Sequence, residues 1–140
     1  MTIYRSDHPL YVEIDMTKGM AFGFVFITIV FTVVGQVLIK WQAMHAGPLP
    51  ASWPDRATFL TRLLLNPWII TGLLSAVVAA IAWILAMTRL PLSMAYPFVA
   101  LTYPLVFFLG WLLFGESFSL WRVIGVLFIL VGVAVIGINA

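Results

Sequence analysis

Four long apolar segments dominate this 140-residue chain, and none of them contains an acidic residue. A helix needs roughly 20 apolar residues to cross a bilayer. Segments of that length run from about residues 19 to 43, 67 to 87, 91 to 114 and 120 to 138. Phe, Ile, Val and Leu are spread all round each segment, as contact with lipid requires. The chain is 64% hydrophobic and 9% charged, whereas a soluble domain is about 45–50% apolar and about 25% charged. With a mean hydropathy of +1.13, it has too few polar residues to cover a core. A membrane barrel would need strands alternating apolar and polar residues, and no such pattern occurs. The expected fold class is an all-α membrane protein, with four transmembrane helices in one compact bundle.

Residues 1–18 read as a polar N-terminal tail and residues 19–140 as the transmembrane domain. The tail lacks the basic-then-apolar form of a signal peptide, so the first span is expected to be retained. One connection is sizeable, from Met44 to Asn66. After the Gly- and Pro-rich run from His45 to Pro50, Ser52 or Asp55 can cap a short helix. Its apolar residues Phe59, Leu60, Leu63 and Leu64 share a face, while Arg56 and Arg62 can reach headgroups. That pattern fits a helix lying on the membrane surface, or an ordinary amphipathic connector. Asn66-Pro67 reads as the cap and first residue of the second span. Ser117 or Ser119 can cap the fourth. The N-terminal side carries Arg5, Lys18 and Arg89, and the other side Lys40, Arg56, Arg62 and Arg122. Topology follows an excess of Lys and Arg, and three against four selects neither orientation.

Several functions are excluded early. The chain has no cysteine, which removes disulfides, thiolate metal sites and thiol redox chemistry. A net charge of +2 is too small to imply a nucleic-acid partner. His8 and His45 stand alone, and no nucleophile–base set, phosphate loop or metal-spaced cluster occurs. The expectation is a non-enzyme without metal or cofactor.

The polar residues within the spans therefore carry the functional signal. A proton-coupled membrane protein normally places a carboxylate at membrane depth, where burial tunes it. Here Asp7, Glu13, Asp15, Asp55 and Glu116 all lie in the tail or between spans. The first span instead carries Thr32, Gln36 and Lys40 at intervals of four, on one helical face. A polar stripe in lipid is costly unless it meets a partner or a cavity. It reads as a pathway for a polar or anionic headgroup, with Lys40 as counter-charge. The alternative is that Lys40 snorkels to the interface while Gln36 bonds a neighbouring helix. Trp83 lies deeper in its span than the other tryptophans and either lines a cavity or faces lipid. In the third span Tyr96 and Tyr103 add hydroxyls seven residues apart, and Pro97 and Pro104 repeat at the same interval. Proline removes a backbone bond and kinks a helix, giving a segment that bends in transport or a static packing feature. Gly125 and Gly132, also seven apart, let another helix approach closely. A bundle this small has little room to enclose a substrate, so dimerisation through the fourth helix is expected, with packing inside one chain as the alternative.

Over roughly residues 20–139 the chain resembles the small multidrug resistance family and the wider drug/metabolite transporter (EamA-like) superfamily. Gly35-Gln36-Val37-Leu38-Ile39-Lys40 is similar to a Gly-x-x-x-x-Lys motif in the first helix. Leu90-Pro91-Leu92-Ser93-Met94-Ala95-Tyr96 is similar to the loop into the third, Gly115-Glu116 to the loop before the fourth, and Gly125 to Gly132 with Val133 to a glycine dimer motif. Drug-exporting members carry a glutamate three residues before the first-helix glycine, where this chain has Thr32. The four-span subunits that translocate undecaprenyl-phosphate-linked aminoarabinose lack that glutamate and share the Gly-Gln…Lys segment and the Ala-Tyr-Pro. The resemblance implies a bacterial inner-membrane lipid-carrier flippase, linked to lipid A modification and polymyxin resistance. It implies a lipid-linked substrate and a homodimer or a heterodimer with a similar small subunit. Thr32, Gln36, Lys40, Trp83, Tyr96 and Tyr103 would be the substrate-binding residues, and Gly125 and Gly132 the dimer interface. Two alternatives stay open: an exporter of small cations or metabolites, and a non-transporting membrane scaffold.

Overall fold

The computed structural model describes residues 17–138; of the tail read as residues 1–18, residues 1–16 lie outside them, while Thr17 and Lys18 cap and begin the first helix. Six helices follow one another: α1 (Lys18–His45), α2 (Trp53–Leu64), α3 (Pro67–Met87), α4 (Leu92–Val99), α5 (Thr102–Phe114) and α6 (Leu120–Gly137). Taken with α4 and α5 as one span, four helical segments are long and apolar enough to cross a membrane.

Local chemistry sets most of the helix starts. The Thr17 hydroxyl accepts from the Met20 amide at 3.4 Å, opening α1. At α2 the cap is Ser52 rather than Asp55: its Oγ accepts from the Asp55 amide at 3.3 Å and donates to the Asp55 carboxylate at 2.6 Å. Asn66 Oδ1 accepts from the Trp68 amide at 2.9 Å, and Pro67, with no N–H to satisfy, starts α3. Ser119 holds the cap position of α6, yet its side chain makes no capping bond.

The third span is broken between α4 and α5. Pro104 cannot donate to the Ala100 carbonyl four residues back, and its ring would collide with it. That carbonyl takes the Tyr103 amide instead, at 3.0 Å, while Leu101 turns to Phe98 at 3.1 Å. The break falls at Ala100 and Leu101, upstream of Pro104.

The tightest packing joins α1 and α3, which run antiparallel. Gly72, Ser75, Ala79, Ala82 and Ala86 form the buried face of α3. Their alternating three- and four-residue spacing keeps them on one side of a helix. Against them α1 buries Ala21, Val25, Thr28, Ile29, Val33 and Gly35. Lipid gives helices no hydrophobic drive to associate, so close contact between small residues supplies the attraction. The closest approach is at Gly35 and Gly72: a Cβ on Gly35 would lie 2.8 Å from the Gly72 carbonyl oxygen. Further along the seam the Thr28 hydroxyl donates to the Phe24 carbonyl at 2.9 Å and lies 3.3 Å from the Ala79 carbonyl of α3.

At the other end of this pair, Leu90 and Ala95 join Ala21, Val25, Ile29 and Ala86 in a small core, with Phe98 of α4 edge-on to Phe22 at 5.3 Å. The remaining spans are held more loosely. About a third of the most apolar stretch of α3 is buried within the chain, but only 6% of that in the third span or in α6. Two helices thus form the scaffold, and two present most of their surface outward.

Candidate functional site

The polar face of α1 is bordered by two cavities that meet at Gln36. The larger, of about 350 Å³, lies between α1, α3 and α4. Its α1 wall is Thr28, Thr32, Gly35, Gln36 and Ile39; α3 contributes Gly72, Ala76, Ala79, Ala80 and Trp83; α4 contributes Tyr96 and Val99. The small residues of α3 make the space. Trp83 and Tyr96 close one end, their rings nearly perpendicular at 5.6 Å. Trp83 therefore faces a cavity. Tyr96 and Gln36 are exposed, so the cavity is a groove opening on the side of the molecule. None of its lining residues is charged.

The second cavity, of about 190 Å³, lies between α1 and α5 and is lined by Gln36, Val37, Lys40, Val106, Gly110, Phe114 and Glu116. Here Lys40 forms an ion pair with Glu116, both side chains remaining partly exposed. The Lys40 ammonium also sits 5.0 Å from the Phe114 ring centroid, a cation–π position. The backbone aims Glu116 at this point. Gly115 takes a left-handed conformation (φ 63°) that ends α5, and the Glu116 amide folds back to the Gly110 carbonyl at 3.2 Å. Gly110 leaves room for the carboxylate: a Cβ there would lie 3.0 Å from Glu116 Oε2.

Of the residues singled out from the sequence, Thr32, Gln36, Trp83 and Tyr96 share the larger groove, and Gln36 and Lys40 share the smaller. Tyr103 is 66% exposed on α5 and lines neither. Gly125 and Gly132 face open space, with no atom within 4 Å of a Cβ built on either. Sequence reasoning placed Glu116 between spans and in the Gly115-Glu116 loop motif, but did not pair it with Lys40 or count it as a site residue. Part of the signal was available: strict alternation of spans puts the end of the first and the end of the third on one side of the membrane, which brings Lys40 and Glu116 to the same edge, although Asp55, Arg56, Arg62 and Arg122 share that side. It also missed the seam of small residues on α3, whose spacing was equally readable.

Fold and grooves together define the class: a small multi-pass helical membrane protein with a side-opening groove, polar on one helix, beside a smaller cavity that holds an ion pair. Comparison with known proteins narrows this. The chain is 34% identical over 125 residues to a protein of Sodalis glossinidius described as "Probable 4-amino-4-deoxy-L-arabinose-phosphoundecaprenol flippase subunit ArnF", covering 86% of this chain and 93% of that one. Proteins of the same description from Serratia proteamaculans (32% identical, 88% of this chain and 95% of that one) and Photorhabdus laumondii (30%, 83% and 94%) match over similar lengths. The chain belongs to this family of ArnF flippase subunits. No family model matches the chain. No solved structure matches it either.

Proposed function

We propose that this chain is a subunit of a bacterial inner-membrane flippase that moves undecaprenyl-phosphate-linked aminoarabinose for lipid A or envelope modification. The observation that carries the reading is the α1 face on which Gln36 borders both grooves and Lys40 stands at the end of the smaller. A lipid-linked sugar offers a phosphate that needs a cation, and hydroxyls that need amide or hydroxyl partners. Lys40 supplies the first; Gln36, Thr32 and Tyr96 supply the second; the polyprenyl tail stays in lipid through the open side. Trp83 gives the sugar ring an aromatic wall, and Tyr103, outside the grooves, can meet the lipid as it arrives. An exporter of cations would need an acid in the larger groove, and its lining has none.

The relatives are described as subunits, and the second subunit, identical or similar, is proposed to pack on α6. Gly125 and Gly132 are open on that helix, and small residues are what membrane interfaces use. The reading is tested in cells deleted for the gene, by mass spectrometry of lipid A and by polymyxin susceptibility. Wild type should restore aminoarabinose-bearing lipid A and resistance; Lys40→Ala and Gln36→Ala, at equal membrane abundance, should not. Full restoration by both variants would remove the site from the mechanism.

A further inference from the structure

The proposed cation for the phosphate is already engaged. Lys40 is held by Glu116 on one side and covered by the Phe114 ring on another, and the carboxylate is aimed by the left-handed Gly115 and seated over Gly110. A phosphate that approaches Lys40 competes with Glu116 for the same ammonium. With a headgroup that carries only a phosphate, the carboxylate is left beside a second anion, and that like-charge contact disfavours the exchange. With a headgroup that carries both a phosphate and an amine, the exchange balances. One ion pair becomes two, the site's charge stays compensated throughout, and Glu116 acquires a cation in place of the one it gave up.

We propose that Lys40 and Glu116 form a charge-exchange site selecting a zwitterionic headgroup, in which Lys40 takes the substrate phosphate and Glu116 takes the substrate amine. The inference rests on the flippase reading above and assigns the amine of the aminosugar a specific partner. Gly110 and Gly115 are positioning residues, acting only through Glu116. Gln36, bordering both cavities, places an amide beside the pair, where it can reach the hydroxyls between the two charged ends of the headgroup.

The test uses the full chain, purified with any subunit that stays bound to it and reconstituted in phosphatidylglycerol vesicles. Initial translocation rates are compared for phosphoundecaprenol-linked aminoarabinose and for phosphoundecaprenol-linked arabinose, which has a hydroxyl in place of the amine. Wild type should favour the aminosugar. Glu116→Gln should lower that rate ratio about tenfold, the equivalent of one lost charged contact, and Glu116→Asp should keep most of it. If Glu116→Gln moves neither lipid, the ratio is read from Gly110→Ala, which shifts the carboxylate without removing its charge and should lower the ratio in the same direction. An unchanged ratio in the variant that is active overturns the proposal, as does a wild type that moves both lipids equally. Those outcomes leave the flippase reading standing, whereas a wild type that moves neither lipid overturns that reading and this inference with it. A further arm adds phosphatidylethanolamine, which presents the same two charges on a bulk lipid. Inhibition in proportion to it would assign the pair to bulk lipid and overturn the proposal; the proposal expects aminosugar transport to persist.

Discussion

A methyl group added at Gly35 would stand 2.8 Å from the backbone oxygen of Gly72, whereas one added at Gly72 would meet chiefly the Ile39 side chain, at 2.8 Å, with the Gly35 oxygen at 3.1 Å. The two glycines face each other, yet they differ in what yields. The Ile39 contact is at Cγ1 and yields only by a change of its stiff χ1; a backbone oxygen moves only if the helices separate. Overpacking of this kind costs about 1–3 kcal/mol. Gly35→Ala should therefore lower the thermal midpoint in detergent more than Gly72→Ala. Equal midpoints would mean that α1 and α3 do not approach as described. The ion pair is the other residue-scale feature, and its long sequence separation explains why no local pattern marked it. Lys40 and Glu116 are 76 residues apart, joined by alternation of spans and not by any local pattern. A partly exposed pair contributes only about 0.2–1 kcal/mol in water, little enough that the proposed exchange with a substrate costs the fold little. Thr32, Gln36 and Lys40, by contrast, were readable because intervals of four share a helical face whatever surrounds them.

Among the elements, the broken third span and the outward α6 carry the clearest expectations. Two prolines in the sequence announced a bend, but not its position, because either could break the turn before it; α4 runs through Pro97, and only the turn before Pro104 is broken. The structure places the break at Ala100 and Leu101, with i−3 bonds replacing i−4 bonds on both sides. Pro104→Ala should restore a bond to the Ala100 carbonyl, worth about 0.5–1.5 kcal/mol. Hydrogen exchange should then slow at residues 101 to 105. If the break is instead held by packing, exchange there will not change. On α6, Gly125→Cys and Gly132→Cys probe the proposed subunit interface cleanly, because the chain has no native cysteine. Both positions are open within one chain, so each variant should fold normally and crosslink to a second subunit in the membrane, while cysteine at the exposed Leu127, on the other side of the helix, should crosslink far less. Equal crosslinking at all three would place the partner elsewhere.

At the scale of the whole molecule, the four spans were legible because bilayer thickness converts directly into the length of an apolar run, and no tertiary information is needed to see it. Which spans form the scaffold was not legible. All four are similarly apolar, and the difference lies in the α3 seam from Gly72 to Ala86, whose partner helix only the fold reveals. The resulting division of labour has a functional consequence. A rigid α1–α3 pair holds the polar face of α1, while α4, α5 and α6 expose most of their surface and leave both grooves reachable from the side. On the proposed reading, a headgroup crosses along Thr32, Gln36 and Lys40 while its polyprenyl tail stays in lipid. The most direct measurement is translocation of phosphoundecaprenol-linked aminoarabinose across vesicles that contain the full chain with its bound subunit, comparing wild type with Lys40→Ala and Gln36→Ala. This account predicts transport by wild type and at least about a tenfold loss in each variant, as expected when one charged or polar substrate contact is removed. Wild-type rates in both variants would contradict it.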